Sequence, residues 1–326
     1  MIGTCEWTKE GAKRCTMIST PKIQKFPQDM ADYEDDSFRL VCEGYQLGRK
    51  GELVPAILQA YGRDPQSLPR LFRGAFAFAL YDMQQGRLTV VNDLLSKKPI
   101  FYFSSAERLI FSTSFLELAD ELKAREIPLT PDELGLAMMT RHGVFFDDVT
   151  YVREISYLKP YGWLQGTRAL ETRFLPVPER KPVSGMDALL KEMDARFGRA
   201  VRLEYLLNAD ENYPQYATLS AGMDSKSVFL YAYQQGFQND VCFTYAQSGS
   251  MDMAVPQQIA ADYGCKHFFF SLDNGDVIKE RERIIPLNEA QMEYCGTTGV
   301  QSFLSFMDTS KAGVVHTGLG GGEIMG

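Results

Sequence analysis

Histidine is nearly missing from this chain, with three residues in 326. A histidine-built metal centre draws several imidazoles to one ion. His142, His267 and His316 are scattered along the sequence, so such a centre is not expected. The six cysteines, at 5, 15, 42, 242, 265 and 295, include no pair at CxxC spacing, which argues against a zinc site. They read as free thiols, most of them small buried hydrophobes. Cations are also in short supply, since 34 Lys and Arg against 42 Asp and Glu give a net charge of -8. Binding nucleic acid needs clustered cations, so no nucleic-acid partner is expected. No apolar run reaches the roughly 18 residues of a membrane span. The first residues contain no apolar stretch of the secretory type. The expectation is a cytoplasmic protein without a membrane partner. No internal repeat and no low-complexity tract is present.

What is there is ordinary globular usage, 45% hydrophobic and 23% charged, in a length of 326 residues that suits two domains of roughly 100–200 residues. The best boundary is residues 173–183, RFLPVPERKPV, where three prolines disfavour both helix and central strand. It separates an amino-terminal domain, 1–178, from a second, 184–326. Before it, runs at 38–45, 75–81, 88–91, 100–103 and 109–112 are β-branched or aromatic and are split by turn signals such as Gln85-Gly86 and Ser104-Ser105. Helical patterns cover 53–61 and 131–139, the latter with Thr130 as N-cap and Glu133 completing a capping box.

After the boundary the rhythm changes. Residues 186–207 predict an amphipathic helix with Leu189, Met193, Phe197, Ala200, Val201 and Tyr205 on one face. Strands at 215–219, 241–245, 268–272 and 313–317 alternate with helices at about 223–235 and 255–263 and a further helical stretch. That alternation implies βαβ units, a parallel sheet with helices on both faces, and ligand binding at the carboxyl ends of its strands.

The strongest chemical signal is Ser220-Ala221-Gly222-Met223-Asp224-Ser225-Lys226-Ser227, which follows a strand and opens a helix. A turn of small residues there exposes backbone N–H groups at the positive end of a helix dipole, an anion site. Ser220, Ser225 and Ser227 add hydroxyl donors. Asp224 would repel a bare phosphate and makes sense beside one if Mg²⁺ lies between. The alternative is an ordinary strand-to-helix turn with serine caps. Lys226 either helps neutralise phosphate charge or is a solvated helix residue.

These residues resemble the SGGxDS loop of the ATP pyrophosphatases, in the asparagine synthetase-like branch that includes class B asparagine synthetase, β-lactam synthetase and lasso-peptide cyclase. Residues 314–326, VVHTGLGGGEIMG, are similar to the SGxGxDELFGG segment of that branch. Asp252 stands where the family has an acidic residue ahead of its next helix. In the amino-terminal half, Ala75-Phe76-Ala77-Phe78-Ala79-Leu80-Tyr81-Asp82 resembles the family's FAFALYD stretch. Residues 92–102 resemble its RDRxGxKPLYY stretch, and 151–162 its segment ending in PG. The resemblance implies an N-terminal-nucleophile-like αββα sandwich, then an α/β parallel-sheet ATP pyrophosphatase (PP-loop) domain. It implies ATP binding by Thr218, Ser220, Ala221, Gly222, Met223, Asp224, Ser225, Leu272, Thr317 and Gly318. Asp224, with Glu323 as a second candidate, would hold Mg²⁺.

The pattern also breaks. The family's glutamine-using members place a cysteine directly after the initiator Met, and residue 2 here is Ile. Cys42-Glu43-Gly44-Tyr45 stands where they have an Asn-Gly-Glu element, and Arg49-Lys50-Gly51-Glu52 where they have an Asp. The expectation is a domain that no longer hydrolyses glutamine, as in β-lactam synthetase and lasso-peptide cyclase. In the second motif, Leu319 replaces an acid and Gly322 the metal-binding Asp; Glu323 either substitutes or is structural. The family continues past this motif into a helical region that supplies acceptor contacts and a catalytic Lys, so the sequence reads as a fragment or as a natural short form. Two functions follow. One is an ATP-dependent synthetase that adenylates a carboxylate, releases pyrophosphate and joins an amine. The other is a non-catalytic nucleotide- or partner-binding relative. A homodimer or a partner chain remains open under both. A third reading, glutaminase activity through a processed Cys5, makes one checkable statement: intact-mass measurement of the mature chain is expected to give a start at Met1 or Ile2, and a start at Cys5 would restore that reading.

Overall fold

The computed structural model describes residues 1–8, 11–19, 25–48, 51–166, 170–174, 182–275, 278–279, 281–289, 291, 304 and 307–321. The chain divides into two units, Met1–Pro178 with Pro286–Glu293, and Glu179–Ile285 with Tyr294–Gly326.

The first unit starts with β1 (Ile2–Thr8), β2 (Gly11–Ile18), β3 (Ala31–Glu34) and β4 (Phe38–Gln46). Helix α1 (Leu53–Arg63) follows, then β5 (Gly74–Asp82), β6 (Arg87–Asn92), β7 (Phe101–Ser104) and β8 (Arg108–Ser112). Helices α2 (Phe115–Ala124) and α3 (Glu133–His142) precede β9 (Ser156–Tyr157), β10 (Gly162–Gly166) and β11 (Leu170–Phe174). The strands make two sheets, in the orders β2-β1-β8-β7-β9 and β11-β10-β6-β5-β4-β3. The FAFAL run of β5 explains the layering. Successive side chains point to opposite faces of a strand. Ala77 and Ala79 therefore meet Cys5, Met17 and Phe111 of the facing sheet, where small residues allow close approach. Phe76, Phe78 and Leu80 fill the other face, beneath Leu53, Ile57 and Tyr61 of α1. On the outer face of the five-stranded sheet, Phe115, Leu118 and Leu122 of α2 cover Phe101 and Ile110. The result is helix on sheet on sheet on helix, with each fully buried Phe or Leu contributing roughly 1.5–3 kcal/mol.

Where β4 and β5 run closest, Gly44 has φ +119°, and a Cβ there would lie 2.0 Å from the Ala75 carbonyl oxygen. Only glycine fits. One cap differs from expectation. Helix α3 is capped by Asp132, whose Oδ1 accepts from Leu134 N (2.8 Å) and Gly135 N (3.3 Å). Thr130 instead donates its backbone N–H to Glu154 (2.8 Å). Pro131 makes an isolated bridge to Val152, which keeps the chain extended up to Asp132.

The second unit runs α4 (Met186–Asp210), β12 (Tyr216–Thr218), α5 (Met223–Gln234), β13 (Val241–Ala246), α6 (Met251–Asp262), β14 (Lys266–Ser271), α7 (Arg281–Ile284) and β15 (Val315–His316). Its four strands are parallel, in the order β14-β13-β12-β15. Helix α6 begins four residues before the expected start, after Ser250, and takes Pro256 inside it. The apolar face of α4 is used only in part. Val201 and Tyr205 are buried against Ala232 with Phe197, Val228 and Tyr231 packed around them, while Met186, Leu189 and Leu190 are exposed and Ala200 points outward. The partner is too short. At 1.5 Å per residue α4 spans about 38 Å and α5 about 18 Å.

One side chain near the end of α4 sets the far edge of the sheet. Asn208, fully buried, donates to Val314 O (2.8 Å) and accepts from Val314 N (2.9 Å), holding the backbone that leads into β15. His316 is buried beside it, stacked on Tyr205 with ring centroids 3.7 Å apart and its Nε2 2.8 Å from Gln215 Oε1. Among the described residues no helix is long and apolar enough to cross a membrane.

Burial lowers the His316 pKa from 6.5 to about 4. Between those values the unfolded chain binds more protons than the fold, so stability rises with pH there. The contribution of the neutral ring is complete above pH 6.5 and is lost as pH falls toward about 4. Denaturant midpoints measured across that window should drop for the natural chain and drop less for His316→Gln; parallel profiles would refute the assignment.

Candidate functional site

The Ser220–Ser227 stretch lies at the carboxyl edge of the parallel sheet, as a strand, a short loop and a helix. The loop is held from below. Leu219 N donates to Phe243 O (2.8 Å), and its carbonyl accepts the Thr244 hydroxyl (2.7 Å). Thr244 also contacts His267 Nε2 (2.8 Å), whose pKa is lowered by burial. The chain then turns around two serines, with Ser220 Oγ 2.8 Å from Ser225 Oγ and Ser220 N donating to Ser225 Oγ (3.0 Å). Gly222, extended at φ −64° and ψ 155°, is the N-cap of α5 and supplies no side-chain cap. Asp224 sits in the first turn, where the helix dipole favours a carboxylate.

The loop differs from expectation in its free donors. Ala221 N donates to Asp252 Oδ1 (2.7 Å) and Gly222 N to Ser220 Oγ (3.2 Å). Two N–H groups expected to face an anion are thus taken by the chain itself, one of them by a carboxylate. Asp252 reaches the loop because α6 starts early enough to carry it in its first turn.

The second motif arrives beside the first. Register pairs of β12 with β15, Tyr216 with Val315 and Ala217 with His316, bring Thr317 and Gly318 alongside the end of β12. Gly318 packs onto the start of α5: a Cβ there would be 2.4 Å from Ser225 N and 2.5 Å from the Asp224 carbonyl carbon. Gly321 packs onto the Asp224 carboxylate, where a Cβ would be 2.4 Å from its Cγ. Between them the chain turns, with Gly321 N donating to Gly318 O (3.1 Å) and Gly320 at φ +84°. Leu319 is 87% exposed.

The structure therefore gathers Thr218, Ser220, Ala221, Gly222, Met223, Asp224, Ser225, Thr317 and Gly318. Leu272 shares the same edge but follows β14, two strands from β12, bonded through its N–H to Ala246 O (3.0 Å). Near it Asp273 accepts from Ser248 N (2.8 Å), and hydrogen bonds from Ser248 hold its carboxyl below the usual range. Gly322 and Glu323 lie outside the described residues, as do Arg49, Lys50 and Cys295. Gly321 was not singled out in the sequence; its only signal was the glycine run. Among the described residues no group of three His, Cys, Asp or Glu could hold a metal ion.

In the first unit a cavity of about 860 Å³ is bordered by Met1, Glu43, Lys98, Thr113, Glu117 and Asn288, among others. The Met1 ammonium is 2.6 Å from Glu43 Oε1 and donates to Thr113 Oγ1 (2.8 Å). Glu43 also accepts the hydroxyls of Ser19 (3.0 Å) and Thr113 (3.2 Å). One wall is the 93–98 turn, organised by the buried Asp93, whose carboxylate accepts from the backbone of Phe76, Leu95, Lys97 and Lys98 at 3.0–3.2 Å. Glu289 accepts from Phe115 N and Leu116 N at the start of α2. No cysteine appears among the described residues lining the cavity. Cys5 is fully buried within β1, opposite Cys15 and Leu109. Its hydrogen bond to Cys15 pushes the Cys15 thiol up, and burial does the same to Cys42.

Residues 51–173 match the glutamine amidotransferase domain. No curated protein matches the chain. A solved structure of the allosteric regulatory enzyme of purine biosynthesis has 8% identity and a TM-score of 0.30, over 76% of this chain and 47% of its own. Glutamine phosphoribosylpyrophosphate amidotransferase from B. subtilis, complexed with ADP and GMP, has 9% identity and a TM-score of 0.30, over 82% of this chain and 59% of its own. The chain thus spans about half the length of these two structures. The first unit, from its domain match and its paired sheets flanked by helices, is glutamine amidotransferase-like.

The approach of Gly318 to α5 makes a sharp prediction. Gly318→Ala places a Cβ where backbone already sits, and should cost about 1–3 kcal/mol and lower the unfolding temperature of the second unit. Gly62→Ala, inside α1 with nothing within 4 Å, serves as control and should be neutral or stabilising. Calorimetric unfolding of both variants decides; equal, small effects would mean that the 317–321 segment does not pack as described.

Proposed function

We propose that this chain is an ATP-dependent carbon–nitrogen ligase resembling asparagine synthetase, in which the amidotransferase-like unit serves as a scaffold and not as a glutaminase. The observation that carries the reading is the packing of Gly318 and Gly321 on the first turn of α5. Two motifs about ninety residues apart in sequence become one edge, and each is of the type that family uses at ATP.

In this reading the triphosphate lies along the Ser220–Ser225 loop, with Thr218, Thr317 and Gly318 flanking the nucleotide and Leu272 near the base. Mg²⁺, when bound, would neutralise phosphate charge. Asp224 is the carboxylate in the first turn of α5 at this edge, and Mg²⁺ needs only one or two protein carboxylates beside phosphate and water. The role of Glu323 rests on the resemblance alone. A substrate carboxylate attacks the α-phosphorus, pyrophosphate leaves, and an amine then displaces AMP from the acyl-adenylate. Little covalent work falls to the protein, so positioning and electrostatics dominate. For the phosphates to gain the full loop, Asp252 must release Ala221 N, and the dipole end then serves the incoming anion.

The scaffold role is supported by the absence of a cysteine among the described residues lining the cavity, where a glutaminase would need a thiol nucleophile. A second reading, a non-catalytic relative, is favoured by the Asp252 carboxylate on the loop and by the exposed Leu319 in place of an acid.

Calorimetric titration of the full chain with ATP tests the nucleotide site, and Mg²⁺-dependent pyrophosphate release separates the two. Mg²⁺-dependent binding is expected, weakened tenfold or more, about 1.4 kcal/mol, by Asp224→Ala, followed by pyrophosphate release once a suitable carboxylate is supplied. Absence of binding with and without Mg²⁺ would sink the synthetase reading and leave the non-catalytic one.

A further inference from the structure

Two cysteines in the second unit are close enough to react. Cys242 lies in β13 beside Ala217 of β12, and Cys265 directly precedes β14. Their Sγ atoms are 2.9 Å apart. Unbonded carbon atoms in contact sit at roughly 3.5–4.0 Å, and sulfur is larger. A disulfide needs about 2.05 Å, so under about 1 Å of movement separates this contact from a bond. The two thiols differ in access. Cys242 is fully buried with Ala217, Leu219 and Phe229, whereas Cys265 is half-buried at the margin of that cluster. Its position is fixed by its backbone N–H, which donates to Ala260 O (2.8 Å) at the end of α6.

We propose that Cys242 and Cys265 form a reversible disulfide, with Cys265 as the attacking thiol, Cys242 as the resolving thiol and hydrogen peroxide as the two-electron oxidant. The Cys265 thiolate attacks one peroxide oxygen, the O–O bond breaks, and the released hydroxide takes a proton to become water. Cys265 is then a sulfenic acid. The Cys242 sulfur attacks the Cys265 sulfur, the S–O bond breaks, and the hydroxyl leaves with the Cys242 thiol proton as a second water. Two thiols lose two electrons and one peroxide gains them.

Electrostatics agree with that division of labour. The hydrogen bond between the two sulfurs draws the Cys265 thiol below its ordinary value, while the same contact and burial hold Cys242 high. Exposed, ionised thiols beside a second thiol are the ones that oxidise selectively. Cys15, also partly exposed and facing Cys5, is pushed the other way. The bond would close a loop that contains all of α6, so Asp252, which holds Ala221 N, would be carried on a covalently closed segment. It does not depend on the nucleotide reading, since neither thiol is part of that edge.

The test is peroxide treatment of the full chain at low excess, followed by proteolysis under acid and mass spectrometry. A cross-linked peptide pair containing Cys242 and Cys265 is expected, removed by dithiothreitol. Thermal unfolding of the second unit should rise by about 5 °C in the oxidised form, because a cross-link limits the unfolded chain. Cys242→Ser, which keeps the attacking thiol, should instead leave a sulfenic acid at Cys265 that dimedone labels. Cys265→Ser should abolish both products. Oxidation confined to other cysteines, or dimedone labelling of Cys242 in place of Cys265, would overturn the proposal.

Discussion

The second unit depends on one buried amide. Asn208, at the end of a 25-residue helix, makes two hydrogen bonds to the backbone of Val314 and so fixes where the last strand lies. A Cβ at Gly313 would lie 2.1 Å from Asn208 Oδ1, so the approach needs glycine as well. Once Val315 and His316 are in register with Tyr216 and Ala217, the following residues have nowhere to go except across the first turn of α5. Gly318 and Gly321 permit that crossing because they present no side chain. A buried polar group left without partners costs about 1–3 kcal/mol. That penalty makes the Asn208–Val314 pairing a selective clamp rather than one contact among many.

The first unit follows a different logic. Its layers come from strand alternation, in which alanines on one face of β5 let the two sheets approach and phenylalanines on the other meet a helix. The polar interior is then concentrated in few places. Asp93 gathers four backbone N–H groups into the 93–98 turn, and Glu43 gathers the Met1 ammonium and two hydroxyls at the cavity. Every oxygen of these buried carboxylates is engaged, as burial of charge demands.

The two units therefore contrast in what they leave available. In the amidotransferase-like unit, the Met1 ammonium, Glu43 and Thr113 at the cavity are occupied with one another. In the parallel-sheet unit, the Ala221 donor is held by Asp252 from a neighbouring helix and the Gly222 donor by Ser220. The same helix carries the loop contact in its first turn and, near its other end, accepts the Cys265 N–H at Ala260 O.

Much of this was legible in the residues. The apolar runs located β4 through β8 to within a residue or two, because period-two patterning is a local property. The strand, small-residue turn and helix around Ser220 were equally local. Other features were not, among them β1 to β3, α2 and β9 to β11, which the residues did not mark as elements. The cap of α3 moved from Thr130 to Asp132, because Pro131 bridges to Val152 across a loop. The apolar stripe of α4 is buried only where the shorter α5 reaches it. The Ala221 and Gly222 donors, free in a sequence reading, are taken by Asp252 and Ser220. The sequence by itself located β4 to β8, α1, α3 and the strand–helix alternation of the second unit, since those depend on side-chain period and backbone freedom nearby. Only the tertiary structure decided that Gly321 meets Asp224, that Cys242 meets Cys265 and that a carboxylate sits on the loop, because each joins residues whose separation in sequence says nothing about their separation in space.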